Sequence, residues 1–153
     1  EILLSVFPKA QVILTHREPA QTIPSMASMA HTLWQIYSDQ PDPSSAGRQW
    51  NSRMARGIHH TMQVREQQDS RRFLDIHFSD TVAKPMEVLE AVYQFAQMPF
   101  TEKARTNAKQ WLSGNGREKR AGHDYSLETF GLSEQQMQRD YALYRSRHLP
   151  TQS

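Results

Sequence analysis

The sequence predicts an α/β fold, in which a partial parallel sheet of about two strands is flanked by helices and followed by a helical carboxyl-terminal part. Three observations lead there. The run Val12-Ile13-Leu14, apolar and rich in β-branched residues, sits within Gln11 to His16 and reads as a buried strand. Arg72 to Phe78 alternates, with Phe73, Asp75 and His77 opposite Leu74, Ile76 and Phe78, and reads as a strand that is half buried or at an edge. The residues between the two repeat at helical spacing. A strand–crossover–strand unit of this length is ordinarily parallel and right-handed.

The elements follow in order. After the first strand, Thr15-His16-Arg17-Glu18-Pro19 is a polar, proline-limited turn. Met26, Met29, Ala30, Leu33, Ile36 and Tyr37 then form one apolar helix face. Proline fits the first turn of a helix, so Pro24 suggests Thr22 as the N-cap and places Ser25 in that turn. Asp39 to Gly47 carries two prolines, two serines and a glycine and reads as a loop. A second helix spans Gln49 to Gln68, with Trp50, Met54, Ile58 and Met62 about one turn apart. Beyond the second strand, Pro85 opens a helix to Gln97, and Thr101 to Leu112 makes another. Ser113 to Asp124 is a glycine- and charge-rich loop. Ser133 with Gln136 forms a capping box for a last helix that turns Met137, Tyr141 and Tyr144 inward.

Two strands do not complete a sheet covered on both faces. The other strands are therefore expected upstream of Glu1, and the 153 residues are expected to be one partial domain. Its parts are a strand and helix over 7–38, a helix and strand over 48–78, and a helical region over 81–148. Such a piece should expose a sheet edge and self-associate.

Composition narrows the function. No apolar run is long enough to span a membrane, and no secretory signal is visible. With no cysteine the chain has neither disulfides nor thiolate metal sites, which fits a cytoplasmic protein. Net charge is only +2, but Arg48 to Arg72 holds six basic and two acidic residues, and Phe100 to Tyr125 six and three. Local excess of this kind attracts anions, although a solvated helix face is the plainer reading of the first segment. No arrangement of basic and aromatic residues matches a nucleic-acid-binding module, so no specific nucleic acid is expected. The histidines lack metal-ligand spacing, and no metal is expected.

Chemistry concentrates after the first strand. Arg17 lies just past its carboxyl end, where α/β sheets bind ligands, and Ser25 follows eight residues later. A guanidinium grips phosphate oxygens bidentately, a serine hydroxyl adds a hydrogen bond, and a helix amino terminus favours negative charge. An arginine in a surface ion pair and a serine of ordinary helix-start type are the alternative. His16 adjoins Arg17, but a strand-end histidine is more often structural.

Phe7-Pro-Lys-Ala-Gln-Val-Ile-Leu-Thr-His-Arg-Glu-Pro19, followed by Ser25, closely resembles the 3′-phosphate-binding segment of sulfotransferases that use the activated-sulfate nucleotide PAPS. The resemblance implies that Arg17 and Ser25 hold the 3′-phosphate. Phe73 to Pro85, with Asp80 in an acidic turn, looks like a further family segment, and His123 to Ser133 is similar to the carboxyl-terminal segment of the broad, largely bacterial branch. Together they cover about Phe7 to His148 and imply a P-loop-type layout. Phe78 falls where cytosolic relatives have a tyrosine near the adenine, which makes it a candidate for base stacking; a core phenylalanine is the simpler role. Arg117 and Arg120, in the loop from Gly114 to Gly122, are candidates for further contact with the nucleotide, though this loop departs from the cytosolic Arg-Lys-Gly pattern.

Other departures bear on activity. The family's glycine-rich 5′-phosphosulfate loop and its general base usually lie upstream, and the first glycine here is Gly47. The resemblance therefore implies the carboxyl-terminal part of an enzyme with PAPS as co-substrate, PAP as product and an unidentified hydroxyl or amine acceptor, inactive by itself. Two rivals stay open: a non-catalytic nucleotide-binding or interaction module of the same fold, and a P-loop kinase-like enzyme.

Overall fold

The structure is a computed structural model that describes residues 2–115 and 125–150. Its residues fall into two compact units, Glu1–His16 with Asp69–His123 and Arg17–Gln68 with Asp124–Ser153.

In the first unit, α1 (Ile2–Val6) precedes β1 (Val12–His16), which pairs in parallel with β2 (Phe73–His77). The register sets Leu14 against Asp75 and His16 against His77. Side chains alternate along a strand, so Leu14, His16, Asp75 and His77 share one face. Arg72, just before β2, donates from Nε to the Ala10 carbonyl at 3.1 Å and from Nη2 to that of Phe7 at 3.3 Å. These bonds tie the start of β2 to the chain that leads into β1.

The expectation of a buried first strand is corrected in degree. Val12 and Leu14 are half-buried, while Ile13 is 42% exposed. A parallel strand loses its surface only where elements cover both faces, and β1 has β2 alone as its sheet partner among the described residues.

Beyond β2, the alternation that reaches Phe78 in the sequence stops at His77. Phe78 opens α4 (Phe78–Ala83), and the Thr81 hydroxyl donates to its carbonyl at 2.7 Å. Pro85 begins α5 (Pro85–Phe95), as its missing N–H suits. Gln97 closes this helix with φ of 55°, and Met98 N–H reaches the Tyr93 carbonyl at 2.9 Å, the bond of a Schellman cap. Thr101 caps α6 (Glu102–Gly114), accepting from Ala104 N–H at 3.2 Å. Arg105 on α6 joins Glu90 on α5 at 2.7 Å and lies over the Phe100 ring at 4.4 Å.

The second unit contains α2 (Pro19–Tyr37), α3 (Pro43–Glu66), a 3-10 turn at Glu128–Phe130, α7 (Glu134–Asp140) and α8 (Ala142–His148). The loop expected over Asp39 to Gly47 is shorter. Asp42 accepts from the N–H groups of Ser44 and Ser45, both at 3.0 Å, and Pro43 takes the first helical position, so α3 begins six residues ahead of Gln49. Gly47 thereby becomes a helical residue packed against Phe130. Ile23, Ala27, Ala46, Leu127, Phe130, Leu132, Met137 and Tyr141 form the core.

Ser133 accepts from Gln136 N–H at 3.2 Å, which gives the expected cap, and Met137, Tyr141 and Tyr144 are buried as their spacing indicated. The last helix is broken at Tyr141 into α7 and α8. Burial raises the Tyr141 phenol well above its ordinary range, helped by neighbouring Asp140, so the hydroxyl stays protonated and donates to the Asn51 carbonyl at 3.2 Å. No described helix is long and apolar enough to cross a membrane.

Candidate functional site

The chain leaves β1 at His16 and passes through Arg17 and Glu18 into α2. Arg17 Nε donates to Gln21 Oε1 at 3.1 Å. Gln21 and Ser25 are four residues apart on α2 and so neighbour each other on one helix face. The Gln21 bond therefore draws the guanidinium toward the face that carries Ser25. Arg17 and Ser25 are half-buried, and Gln21 is exposed.

The helix start differs from the expectation. Thr22 is not the N-cap. Glu18 occupies that position without a side-chain cap, Pro19 opens the helix, and Pro24 lies inside it. Either proline suits an N-terminal position, and Pro19, the earlier one, takes it. Pro24 deprives one carbonyl of its helical partner, but the ring is fully buried and contributes packing. The Thr22 hydroxyl turns back to the Glu18 carbonyl at 3.3 Å rather than capping.

Ser25 consequently stands in the second turn. Few backbone donors remain at the helix end, because Pro19 has none and those of Gln21 and Thr22 close on the Glu18 carbonyl at 3.0 and 3.2 Å. Side chains must supply most of any grip on an anion. The guanidinium fork, the Gln21 amide and the Ser25 hydroxyl are suited to oxygen acceptors.

A hydrogen bond and an ion pair brace the residues flanking Arg17, each within its own unit. His16 is 5% exposed, and its Nε2 meets Asp75 Oδ1 at 2.7 Å across the strand pair. The His16 and His77 rings lie 5.9 Å apart. On the other side, Arg145 Nη1 on α8 donates to Glu18 Oε1 at 2.7 Å. Arg147 on the same helix pairs with Glu66.

Of the remaining candidates, Phe78 is half-buried at the first position of α4, in the first unit. Asp80, in the first turn of α4, lines a cavity of about 250 Å³ with Asp75, Lys84 and Glu87. Arg117 and Arg120 lie outside the described residues. The structure thus bonds Arg17 to Gln21, one turn before Ser25 on α2, and adds two residues that sequence reasoning missed. Gln21 carries a legible signal, four residues after Arg17 and four before Ser25. Arg145 carries none, being 127 residues from Glu18.

The family model described as "Sulfotransferase family" matches residues 1–102. No curated protein matches the chain. Among solved structures, sulfotransferase STF9 from Mycobacterium avium is similar with a TM-score of 0.80 and 26% identity, over 94% of this chain and 37% of that one. Sulfotransferase STF1 from Mycobacterium tuberculosis H37Rv shares the fold with a TM-score of 0.70 at 22% identity, over 92% of this chain and 35% of that one. The chain thus spans little more than a third of the length of either structure.

Proposed function

The chain belongs to the sulfotransferase family, and from that premise we propose that it carries the 3′-phosphate-binding part of an enzyme that uses PAPS. Arg17 and Ser25 hold the 3′-phosphate. The overall reaction moves a sulfuryl group from PAPS to an acceptor hydroxyl or amine and leaves PAP.

The observation that supports this reading best is the Arg17–Gln21 bond at 3.1 Å, which holds the guanidinium to the helix face of Ser25 just beyond a parallel strand. The 3′-phosphate distinguishes PAPS and PAP from ordinary adenine nucleotides, so a site built around it selects the donor. Phe78 is proposed as a base-stacking residue, and Arg117 and Arg120 as further phosphate contacts. Sulfuryl transfer also needs donors for the 5′-phosphosulfate and a base for the acceptor proton. The first glycine of this sequence is Gly47, after both β1 and α2, so no glycine-rich loop ahead of β1 is among these residues. The 153-residue chain is accordingly proposed to bind PAP without appreciable turnover.

Melting the chain with PAP and with 5′-AMP tests this reading, because stabilisation follows affinity. PAP is expected to raise the melting temperature more than AMP, and Arg17→Ala is expected to remove the difference. Equal shifts from both nucleotides would refute the assignment.

A further inference from the structure

Glu18 poses an electrostatic problem for an anion site at Arg17. The two residues are consecutive, and a carboxylate beside a phosphate both repels it and competes for the same guanidinium. The structure gives that carboxylate another partner. Arg145 Nη1 donates to Glu18 Oε1 at 2.7 Å, and the two side chains are only 26% and 19% exposed. Partial burial makes solvent screening of this pair incomplete.

The partner arrives on a braced element. Tyr141, just before α8, is buried and bonded to Asn51, while Tyr144 on α8 is buried and Arg147 pairs with Glu66. Arg145 N–H closes on the Tyr141 carbonyl at 2.9 Å in the first turn of α8. Arg17, for its part, is bonded to Gln21. Arg145 is thus bonded to Glu18 and Arg17 to Gln21, three residues further along the chain.

We infer that Arg145 is a positioning residue for the anion site: it holds and neutralises the Glu18 carboxylate, so that this charge does not oppose an anion held by Arg17 and Ser25. This inference rests on the reading that Arg17 and Ser25 bind a 3′-phosphate. It adds a specific consequence, that Arg145 governs affinity for the 3′-phosphorylated nucleotide without touching it.

A double-mutant cycle read by calorimetric titration of the 153-residue chain with PAP and with 5′-AMP tests it. Wild type preferring PAP, with the preference lost in Arg17→Ala, establishes the underlying reading; no preference in wild type defeats that reading and the present inference with it. Given the preference, Arg145→Ala is expected to weaken PAP about tenfold with AMP unchanged, and Arg145→Lys to keep most of the affinity. Adding Glu18→Gln to Arg145→Ala is expected to restore PAP binding, because the uncompensated charge is gone. Glu18→Gln alone, which folds without leaving a buried carboxylate unpaired, should bind PAP at least as tightly as wild type.

A merely structural brace between α8 and α2 would behave differently. The double variant would then be no better than Arg145→Ala, and Glu18→Gln would weaken binding. Either result, or an Arg145→Ala variant with wild-type PAP affinity, would overturn the inference while leaving the Arg17 assignment intact.

Discussion

Gly47 and Phe130 approach so closely that a Cβ placed on the glycine would sit 2.0 Å from the Phe130 carbonyl oxygen and 2.8 Å from its Cβ. Phe130 and Ala46, the neighbour of Gly47, belong to the core that seats α3 against the turn at Glu128–Phe130. The obstacle is backbone, which cannot swing aside as a flexible side chain can. Gly47→Ala is therefore expected to cost about 3 kcal/mol, measured by chemical denaturation. An alanine variant as stable as wild type would show that α3 and this turn do not pack as described.

Acid is expected to destabilise the chain through three carboxylates. The Ser45 hydroxyl, with the Ser44 N–H, holds Asp42 below its usual value, the Arg71 guanidinium does the same for Asp69, and the Arg105 guanidinium for Glu90. A depressed folded-state pKa means that the unfolded chain takes up protons first as pH falls. The stabilisation is thus complete above the unfolded values near about 4 and is lost progressively below them. Melting temperature followed from neutral to acid pH should fall in that window, and less steeply in Asp42→Asn. A variant with an unchanged slope would remove Asp42 from the account.

The second half of α2 is expected to associate with another surface. Met29, Leu33 and Ile36 recur at helical spacing and are exposed, and Tyr37 beside them is 87% exposed. A contiguous apolar stripe of this kind favours contact with other molecules over contact with water. Sedimentation velocity of the chain alone should show concentration-dependent association, reduced by Leu33→Glu. A monomer at all concentrations would contradict this.

Legibility in the sequence followed the range of each interaction. Both strands were readable because Val12 to Leu14 and Arg72 to Phe78 carry local patterns, and their parallel pairing followed from the length of the crossover. Ser133 and Pro85 signalled their helix starts for the same reason. Competing local signals caused the errors: Pro19 and Pro24 both suit a helix start, and the composition of Asp39 to Gly47 hid the Asp42–Pro43 cap. At the candidate site, Arg17 and Ser25 were legible from position and resemblance. Arg145 was not, because its pairing with Glu18 depends on a packed core that brings together residues 127 positions apart.

Phosphorus NMR of PAP titrated with the chain tests the central assignment most directly, because the 3′- and 5′-phosphates report separately. The 3′-phosphate resonance is expected to shift or broaden on binding, and Arg17→Ala and Ser25→Ala are each expected to abolish or diminish that response. A 3′ resonance that stays unperturbed, or one that responds in both variants as it does in wild type, would contradict the assignment of Arg17 and Ser25 to that phosphate.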